Sequence, residues 1–390
     1  MLIDYIDHLA LFQYIGGLLI WFFLLFLLEQ YLASSKNLNN IEKKYFLGYF
    51  VILSLFAIVR IYTNYLPYTL DTKTYLSVAE SISQKNEFYF FGAFIYSSFI
   101  YIIQSITFNN HYAILFINNF IFIIALIDLL GMISSNQKKS LWLWSLFLFL
   151  YPSIYWFIPN VLREAVFFLC LVRVLKHSIL IKNSRLISYN SILLVFFSIL
   201  CVALRPQVLP MIYLWVTFML FKKSIFNLIF VSLLGFALLS NDFMTSEYLN
   251  KVSFEYLEAK KTEGATNVPT IAFQENIIPT SFSELVSLSP YLVFRFLFAP
   301  FPWELSNLKY LFAFLDSTIM LLLFITFIWI VIRGHVHSWD FITFPFMFIV
   351  VLGIFEIAFT GAVRHRMPYV LIMSTLLLNL PTSFANKSNY

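Results

Sequence analysis

The sequence has few charged residues and only two cysteines, and each shortage excludes a class of protein. Only 12% of its 390 residues are charged, and 61% are hydrophobic. Soluble domains carry about 25% charged and about 45–50% apolar residues. A soluble core does not absorb so much apolar surface, because a soluble domain also needs a polar coat. The composition therefore excludes a soluble enzyme, a disordered chain and a collagen, and it predicts a membrane protein.

The two cysteines, Cys170 and Cys201, both lie within apolar runs. Two such residues make neither a disulfide scaffold nor a metal site, so we interpret them as packing residues. The sequence also lacks a P-loop, a dinucleotide-binding glycine motif, a zinc ligand set and the signatures of serine hydrolases and kinases. We therefore expect no cofactor and no metal. The net charge of +5 comes without a basic stripe, which argues against nucleic acid as a partner.

Long, continuous apolar runs are what the sequence has in abundance. A helix needs about 20 such residues to cross a bilayer. Eleven runs predict spans: 10–31, 45–64, 112–132, 141–159, 166–181, 187–204, 207–221, 226–240, 308–332, 340–361 and 367–382. Two further stretches, 88–107 and 286–302, are interpreted as re-entrant or interfacial. The predicted fold class is an all-α, polytopic transmembrane helix bundle that forms a single membrane domain over 1–390.

Basic residues set the predicted orientation, since cytoplasmic loops are enriched in lysine and arginine. If neither 88–107 nor 286–302 crosses, the lysines of the short loops fall on the side that holds the C-terminus. The other side holds arginines in its short turns and no lysine there. We therefore predict an outward N-terminus, a cytoplasmic C-terminus and two long outward segments, 65–111 and 241–307.

The outward arginines are the first candidate site. Arginine presents a rigid fork of donors that suits phosphate, whereas lysine is a compact point charge. Several arginines on one face predict a diphosphate clamp, and helix N-termini following Arg163 and 364–366 would add backbone amides. The alternative is that these side chains snorkel to the membrane interface. The members of the proposed clamp are Arg163, Arg205, Arg364 and Arg366.

Two carboxylates and a histidine complete the predicted site. Asp71 can act as general base towards a sugar hydroxyl, or can simply cap a helix that starts at Thr72. In that helix Asp71 and Tyr75 share a face. Glu164 is either a second carboxylate of the site or a first-turn helix charge paired locally. His365 lies between two arginines that disfavour its charged form, so it is either a neutral hydrogen-bonding group or a headgroup-level polar residue.

Other polar and aromatic residues within the spans carry weaker hypotheses. Charged residues in a membrane are costly and face the bundle interior or a cavity; Arg173 and Glu356 lie deepest and are candidates for a pair. Most aromatic residues near span ends fit the interfacial belt. Those in the outward segments have an alternative role, stacking on sugar rings: Tyr89, Tyr96 and Trp303.

Several short motifs carry a resemblance to known families. An outward Asp71 followed by Tyr75 and Ala79 resembles integral-membrane glycosyltransferases of the GT-C fold. Four further segments are similar to membrane proteins of bacterial surface-polysaccharide loci, including oligosaccharide repeat-unit polymerases of the Wzy kind. These segments are Leu150-Tyr151-Pro152-Ser153, Leu162-Arg163-Glu164, Leu204-Arg205-Pro206 and Arg364-His365-Arg366-Met367-Pro368-Tyr369.

The resemblance implies a multi-pass enzyme of the bacterial inner membrane that uses a polyprenyl-phosphate-linked or diphosphate-linked glycan donor. It would polymerise O-antigen or capsule repeat units at the outer face, with a chain-length regulator as a further partner. Asp71 would be the base, with Glu164 and His365 as further catalytic candidates. Residues implied to bind the lipid diphosphate are Arg163, Arg205, Arg295, Arg364, Arg366, Tyr75 and Lys73. GT-C enzymes often carry two adjacent acids in the first outer loop, whereas Thr72 follows Asp71 here.

Three alternatives remain at the level of sequence. A single-sugar GT-C transferase would share the same clamp. A lipid-linked oligosaccharide flippase would need a polar path across the membrane, and transporters of that kind are typically built from repeated halves. A non-catalytic scaffold would need none of the outward arginines. The sequence shows no internal repeat, which favours the polymerase over the flippase.

Overall fold

A computed structural model gives the fold of the chain. The structure describes residues 2–35, 38–63, 70–85, 93–133, 141–182, 189–221, 282–305, 308–333, 339–355 and 359–379. Within those stretches every regular element is helical and none is a strand. The predicted all-α fold class is therefore confirmed for the described residues.

The helices have the following bounds. They are α1 Leu2–Ser34, α2 Asn40–Thr63, α3 Leu70–Lys85, α4 Ala93–Ile106, α5 His111–Gly131, α6 Leu141–Leu150, α7 Pro152–Phe157, α8 Glu164–Lys182, α9 Tyr189–Leu204, α10 Leu209–Phe221, α11 Phe282–Phe298, α12 Leu308–Ile332, α13 Asp340–Phe355 and α14 Phe359–Ser374. Short 3₁₀ turns follow α9, α11 and α14 at Pro206–Val208, Pro302–Glu304 and Thr375–Asn379.

The backbone folds as two compact units. The first comprises Met1–Ser135, Ile154–Arg173 and Ile199–Arg205. The second comprises Asn136–Ser153, Val174–Ser198 and Pro206–Tyr390. The sequence predicted one membrane domain, and both units draw on distant parts of the chain.

In the first unit α1 and α5 run parallel. At the start of α5, the Asn110 side chain donates to the Gln13 carbonyl in the first half of α1, at 2.9 Å. Near the end of both, Tyr31 donates from its hydroxyl to Asp128 at 3.2 Å. Both contacts join residues 97 apart in sequence, so the two helices advance side by side in the same direction.

A glycine pair allows this close packing. A Cβ on Gly16 would lie 2.9 Å from the Asn110 side chain, and one on Gly17 would lie 3.1 Å from Tyr112. Asn110 is also the N-cap of α5 and accepts from the Tyr112 amide at 3.0 Å. Small residues at a helix interface let backbones approach closely, and here they bring α1 against the capped start of α5.

The helix α8 also advances alongside α5 in the first unit. Asn118 on α5 donates to the Leu162 carbonyl just before α8, at 3.2 Å. Ten residues further along α5, Asp128 meets Arg173 of α8 at 2.6 Å. The helices α1, α5 and α8 are therefore mutually parallel, and both α5 and α8 are largely buried.

The helices α3 and α4 pack against each other beside α5. Tyr75 of α3 and Tyr96 of α4 meet edge to face with ring centroids 5.1 Å apart. The Tyr96 hydroxyl donates in turn to Asn118 at 3.3 Å. With 16 and 14 residues, these helices are about 24 and 21 Å long, short of the roughly 30 Å hydrocarbon core.

In the second unit α12 and α14 run parallel. Asp316 of α12 binds Arg366 of α14, and further along both helices Ile330 packs in one cluster with Leu376 of the following 3₁₀ turn. The helix α13 approaches α11 at Gly353, where a Cβ would lie 3.0 Å from the Val293 backbone. The second unit is thus built around α11 to α14.

Three described helices are long and apolar enough to cross a membrane: 13–34 in α1, 112–131 in α5 and 311–332 in α12. Only 22% of the α1 window and 28% of the α12 window are buried, against 78% for α5. Large apolar side chains such as Phe22 and Leu322 are each 59% exposed. Surfaces this apolar favour lipid contact, so the chain is a membrane protein.

Several predicted span limits need correction. The run 141–159 is broken at Tyr151, so α6 and α7 are separate helices. The predicted break between 340–361 and 367–382 falls inside α14, which begins at Phe359. The uncertain stretches 88–107 and 286–302 contain α4 and α11. The predicted span 226–240, most of the outward segment 241–307, Tyr89 and Glu356 lie outside the described residues.

Candidate functional site

The candidate site in the first unit begins with the non-helical stretch 158–163 before α8. Asn118 of α5 holds this stretch by donating to the carbonyls of Asn160 at 2.6 Å and Leu162 at 3.2 Å. The Asn160 side chain accepts from the Val161 amide at 2.9 Å. These bonds fix the irregular backbone in a buried place, where unsatisfied peptide groups are costly.

Glu164 and Arg205 form a buried ion pair at the start of α8. The helix α9 ends at Leu204 because Pro206 lacks the amide that would continue it. Arg205 then reaches Glu164 with 2.6 Å between Nη2 and Oε1, and neither side chain is exposed. Its guanidinium also lies 4.7 Å from the centroid of the Phe167 ring. The predicted break at 204–206 is confirmed, and the Glu164 partner is Arg205 rather than its neighbour in sequence.

Arg163 adds a second guanidinium next to this pair. Its Nη1 donates to the carbonyl of Leu204 at 2.5 Å, and its side chain is half-buried. The start of α8 therefore carries two cations, Arg163 and Arg205, and one carboxylate, Glu164. This leaves a net positive charge in a place of low dielectric, where an anion is attracted strongly.

The start of α8 strengthens the same preference. Glu164 is its first residue, and the Phe167 amide donates to the Arg163 carbonyl at 2.9 Å. The first amides of a helix point away from its carbonyls and form an anion site together with the helix dipole. The sequence prediction that a helix N-terminus follows Arg163 is confirmed.

Arg366 has a different position from the predicted one. It lies inside α14 with no exposed surface, and all three of its guanidinium nitrogens are bonded. Nε donates to Asp316 at 2.7 Å, Nη1 to the Phe296 and Leu297 carbonyls at 2.7 Å, and Nη2 to Ser317 at 2.8 Å. These partners satisfy the guanidinium within the protein, so we do not include Arg366 in the proposed phosphate site.

Arg364 and His365 also lie within α14, not in a turn before a helix. Arg364 is 8% exposed and His365 is half-buried. Both follow the first turn of α14, which begins at Phe359. The expectation that a helix N-terminus assists them is therefore wrong, because the terminal amides lie a turn or more earlier. Their predicted contact with substrate stays a prediction.

Arg295, near the end of α11, is tied to the next turn. Its Nη2 lies 2.6 Å from Glu304 Oε1, and the guanidinium is 5.9 Å from the ring centroids of Tyr291 and Phe301. Glu304 also accepts from the Phe301 amide at 2.8 Å. This arrangement gives Arg295 a role in closing α11 onto the 3₁₀ turn.

Asp71, Lys73 and Tyr75 lie on α3. The helix begins at Leu70, so Asp71 is in its first turn and is not its N-cap. An acidic residue in a first turn is favourable to the helix dipole, which explains why the helix includes it. Tyr75 is 2% exposed and packs on Tyr96; its ring belongs to the core between α3 and α4.

Sequence reasoning missed the polar groups that hold the site. Asn118, Asn119 and Asn160 are all buried, and the signal for the first two was an Asn-Asn pair inside an apolar run. Arg173 pairs with Asp128 at 2.6 Å, and its pairing with Glu356, which lies outside the described residues, stays a prediction. Cys170 and Cys201 are buried free thiols, in agreement with a packing role.

The structure brings Arg163, Glu164 and Arg205 together in the first unit, whereas Arg295, Arg364 and Arg366 belong to the second. A single clamp made of all these arginines stays a prediction. No three His, Cys, Asp or Glu side chains gather as a metal site among the described residues. No protein family model, curated protein or solved structure matches the chain.

Proposed function

We propose that this chain is a membrane glycosyltransferase that uses a polyprenyl-diphosphate-linked glycan as donor and polymerises surface-polysaccharide repeat units. The observation that carries the proposal is that two arginines lie at the start of α8, where Arg205 pairs with Glu164 and Arg163 donates to the Leu204 carbonyl. An excess of guanidinium charge beside helix amides suits a phosphate or diphosphate. The apolar helices place the protein in a lipid bilayer, which also dissolves the polyprenyl chain of such a donor.

The proposed reaction joins an acceptor hydroxyl to the anomeric carbon of the donor glycan. The hydroxyl oxygen forms the new glycosidic bond while the bond from that carbon to the lipid diphosphate breaks. The hydroxyl proton goes to a base, for which Asp71 on α3 is the candidate. The bonding electrons leave with the lipid diphosphate, whose growing negative charge Arg163 and Arg205 stabilise.

Helix directions support the predicted set of crossings, in which α3 and α4 do not cross the membrane. In the predicted topology α1, α5 and α8 all cross from outside to inside, which requires them to be parallel. They are parallel in the first unit. A crossing by α4 alone between α2 and α5 would have made α1 and α5 antiparallel. With the orientation that the basic residues predict, the proposal assigns the start of α8, with Arg163 and Glu164, to the outer face of a bacterial inner membrane.

The test is a transfer assay with purified protein in nanodiscs and lipid-linked repeat units from the source cell. The Arg163→Gln variant keeps a half-buried side chain of similar length but removes its charge. Losing one donor to a developing anion costs about 3–4 kcal/mol, so transfer should fall about 10²–10³-fold. Arg333→Gln is the matched control, since Arg333 is exposed at the end of α12.

Each outcome separates the proposal from its rivals. New glycosidic bonds in wild type, lost in Arg163→Gln and kept in Arg333→Gln, support the polymerase. Products one sugar longer, without a ladder, identify a single-sugar transferase. Movement of the lipid-linked unit across liposomes without new bonds identifies a flippase and overturns the proposal. Full activity of Arg163→Gln overturns the role of the arginine pair.

A further inference from the structure

A polar cleft opens on the first unit, away from the residues of the arginine pair. It lies between α3, α4 and the turn that follows α4, and its volume is about 620 Å³. This is within the range of about 300–1,000 Å³ typical of small-molecule sites. Its lining is formed by Ala79, Glu80, Gln84, Tyr101, Gln104, Ser105, Phe108 and Asn109.

The polar lining has a chemistry that suits hydroxyl groups. Glu80 offers two acceptor oxygens, while Gln84 and Gln104 each offer both an acceptor and two donors. A sugar hydroxyl donates one hydrogen bond and accepts others, so side chains that can do both match it at several positions. None of the described lining residues is a lysine or arginine. The cleft therefore favours a neutral polyhydroxylated ligand over a phosphate.

Two aromatic rings accompany these groups. Tyr101 is half-buried along the cleft, and Phe108 is 77% exposed at its end. The face of an aromatic ring carries partial negative charge and attracts the weakly positive C–H groups of a sugar ring. Aromatic faces next to amide and carboxylate groups thus complement both the apolar and the polar side of a sugar.

The backbone holds Phe108 in an unusual conformation. Its φ is 54° and that of Asn109 is 59°. The Asn109 amide donates to the Gln104 carbonyl at 2.8 Å, as in the Schellman motif that ends many helices with a left-handed residue. Glycine usually occupies that position, and a bulky residue there costs free energy. An aromatic ring kept at this cost and projected into solvent indicates a binding role.

An apolar occupant is disfavoured by the same lining. Glu80 and Gln84 are both exposed on α3, and a lipid tail against them would bury a carboxylate without a partner. The helix α3 is itself polar, since its 16 residues include Asp71, Lys73, Glu80 and Lys85. The cleft is therefore a surface that faces water, not the hydrocarbon core.

We infer that this cleft binds the neutral sugars of an oligosaccharide, as a subsite separate from the diphosphate site. The identity of that oligosaccharide rests on the proposed function, in which the repeat unit is the substrate. Asp71 and Glu80 lie nine residues apart on α3, which is about 14 Å along the helix axis. The cleft would hold sugars of the repeat unit other than the sugar whose anomeric carbon reacts. It would thus contribute binding energy at a distance from the reacting bond.

The experiment measures binding without transfer. The probe is a set of lipid-free oligosaccharides of one to three repeat units, released by mild acid from the surface polysaccharide of the source cell. Titration calorimetry follows their binding to the full chain in nanodiscs. Wild type should bind saturably, and Glu80→Gln should weaken binding about ten- to hundredfold because it removes a charged acceptor.

Phe108→Gly is the second variant, and it guards against loss of folding. Glycine relieves the left-handed backbone at this position, so the protein should stay as stable as wild type while affinity falls at least about tenfold. Phe108→Tyr keeps an aromatic face and should retain binding. The matched controls are Glu29→Gln and Phe26→Ala, both at exposed positions of α1, and they should bind like wild type.

The outcomes distinguish this inference from the proposed function. Absence of binding in wild type, or wild-type affinity in both Glu80→Gln and Phe108→Gly, overturns the subsite. Arg163→Gln should still bind the lipid-free probe, because its site takes phosphate. If wild type binds the probe at the cleft but makes no glycosidic bond, the subsite stands and the polymerase falls. If both cleft variants bind the probe like wild type while transfer continues, the polymerase stands and the subsite falls.

Discussion

The Nε of Arg366 on α14 donates to Asp316 on α12 at 2.7 Å, and neither side chain is exposed. Asp316 also accepts from Ser153, at the start of α7. Three segments of the second unit thus meet at one buried charge pair. A charged side chain inside a membrane protein needs such partners, and this pair is fully supplied with them.

The first prediction is that the Arg366–Asp316 pair is structural. Asp316→Ala leaves a buried guanidinium without its carboxylate, which typically costs about 3–5 kcal/mol. The abundance and melting temperature of the detergent-solubilised protein should both fall, as followed by fluorescence-detected size exclusion after heating. The double variant Asp316→Leu with Arg366→Met should recover much of that stability, because apolar side chains of similar volume often replace a buried pair without loss.

The second prediction contrasts this pair with Glu164 and Arg205. The double variant Glu164→Leu with Arg205→Met should also fold, for the same reason. However, it removes a guanidinium that the proposed reaction needs, so transfer should be lost while the Asp316–Arg366 double variant keeps it. Chain-length ladders from both folded double variants provide the comparison. Equal ladders from the two would show that the Glu164–Arg205 pair is structural as well.

The third prediction concerns Asn118, which positions the stretch before α8. Asn118→Ala removes its bonds to the Asn160 and Leu162 carbonyls. Interhelical hydrogen bonds of this kind contribute about 1–2 kcal/mol, so the protein should remain folded with a slightly lower melting temperature. Arg163 is the last residue of that stretch, so a shift of the stretch would move its guanidinium. The KM for the lipid-linked donor should therefore rise. An unchanged KM would separate Asn118 from the anion site.

Helix existence was predictable from local sequence, and some bounds were too. The run 308–332 matches α12 because it is predominantly apolar between polar flanks. The break at Pro206 is a local signal of the same kind. By contrast, α14 includes Arg364 and Arg366, which a hydropathy criterion assigns to a turn. The charge on Arg366 is satisfied by carbonyls 69 and 70 residues away, and no local pattern contains that information.

The candidate site divides in the same way. The residue types of the arginine site, and the helix start after Arg163, were visible in the sequence. The pairing of Glu164 with Arg205 spans 41 residues and depends on how α8 packs with α9. The sugar cleft was not predicted, because Glu80 and Gln84 on α3 and Gln104 on α4 become neighbours only when the two helices pack. The types of residue in each site could therefore be predicted from the sequence, whereas the contacts between distant residues could not.

The last prediction tests the orientation of the first unit. The background is a variant with Cys170→Ala and Cys201→Ala, and a single cysteine is introduced by Ser105→Cys or Ser34→Cys, both at exposed positions. Ser105 lies near the end of α1 that holds Gln13, whereas Ser34 ends that helix. An impermeant maleimide on intact spheroplasts should label Ser105→Cys at once, and Ser34→Cys only after permeabilisation. The reversed pattern would place the Arg163 site on the cytoplasmic face, where an outward polymerase has no use for it, and labelling of both would show that α1 does not cross.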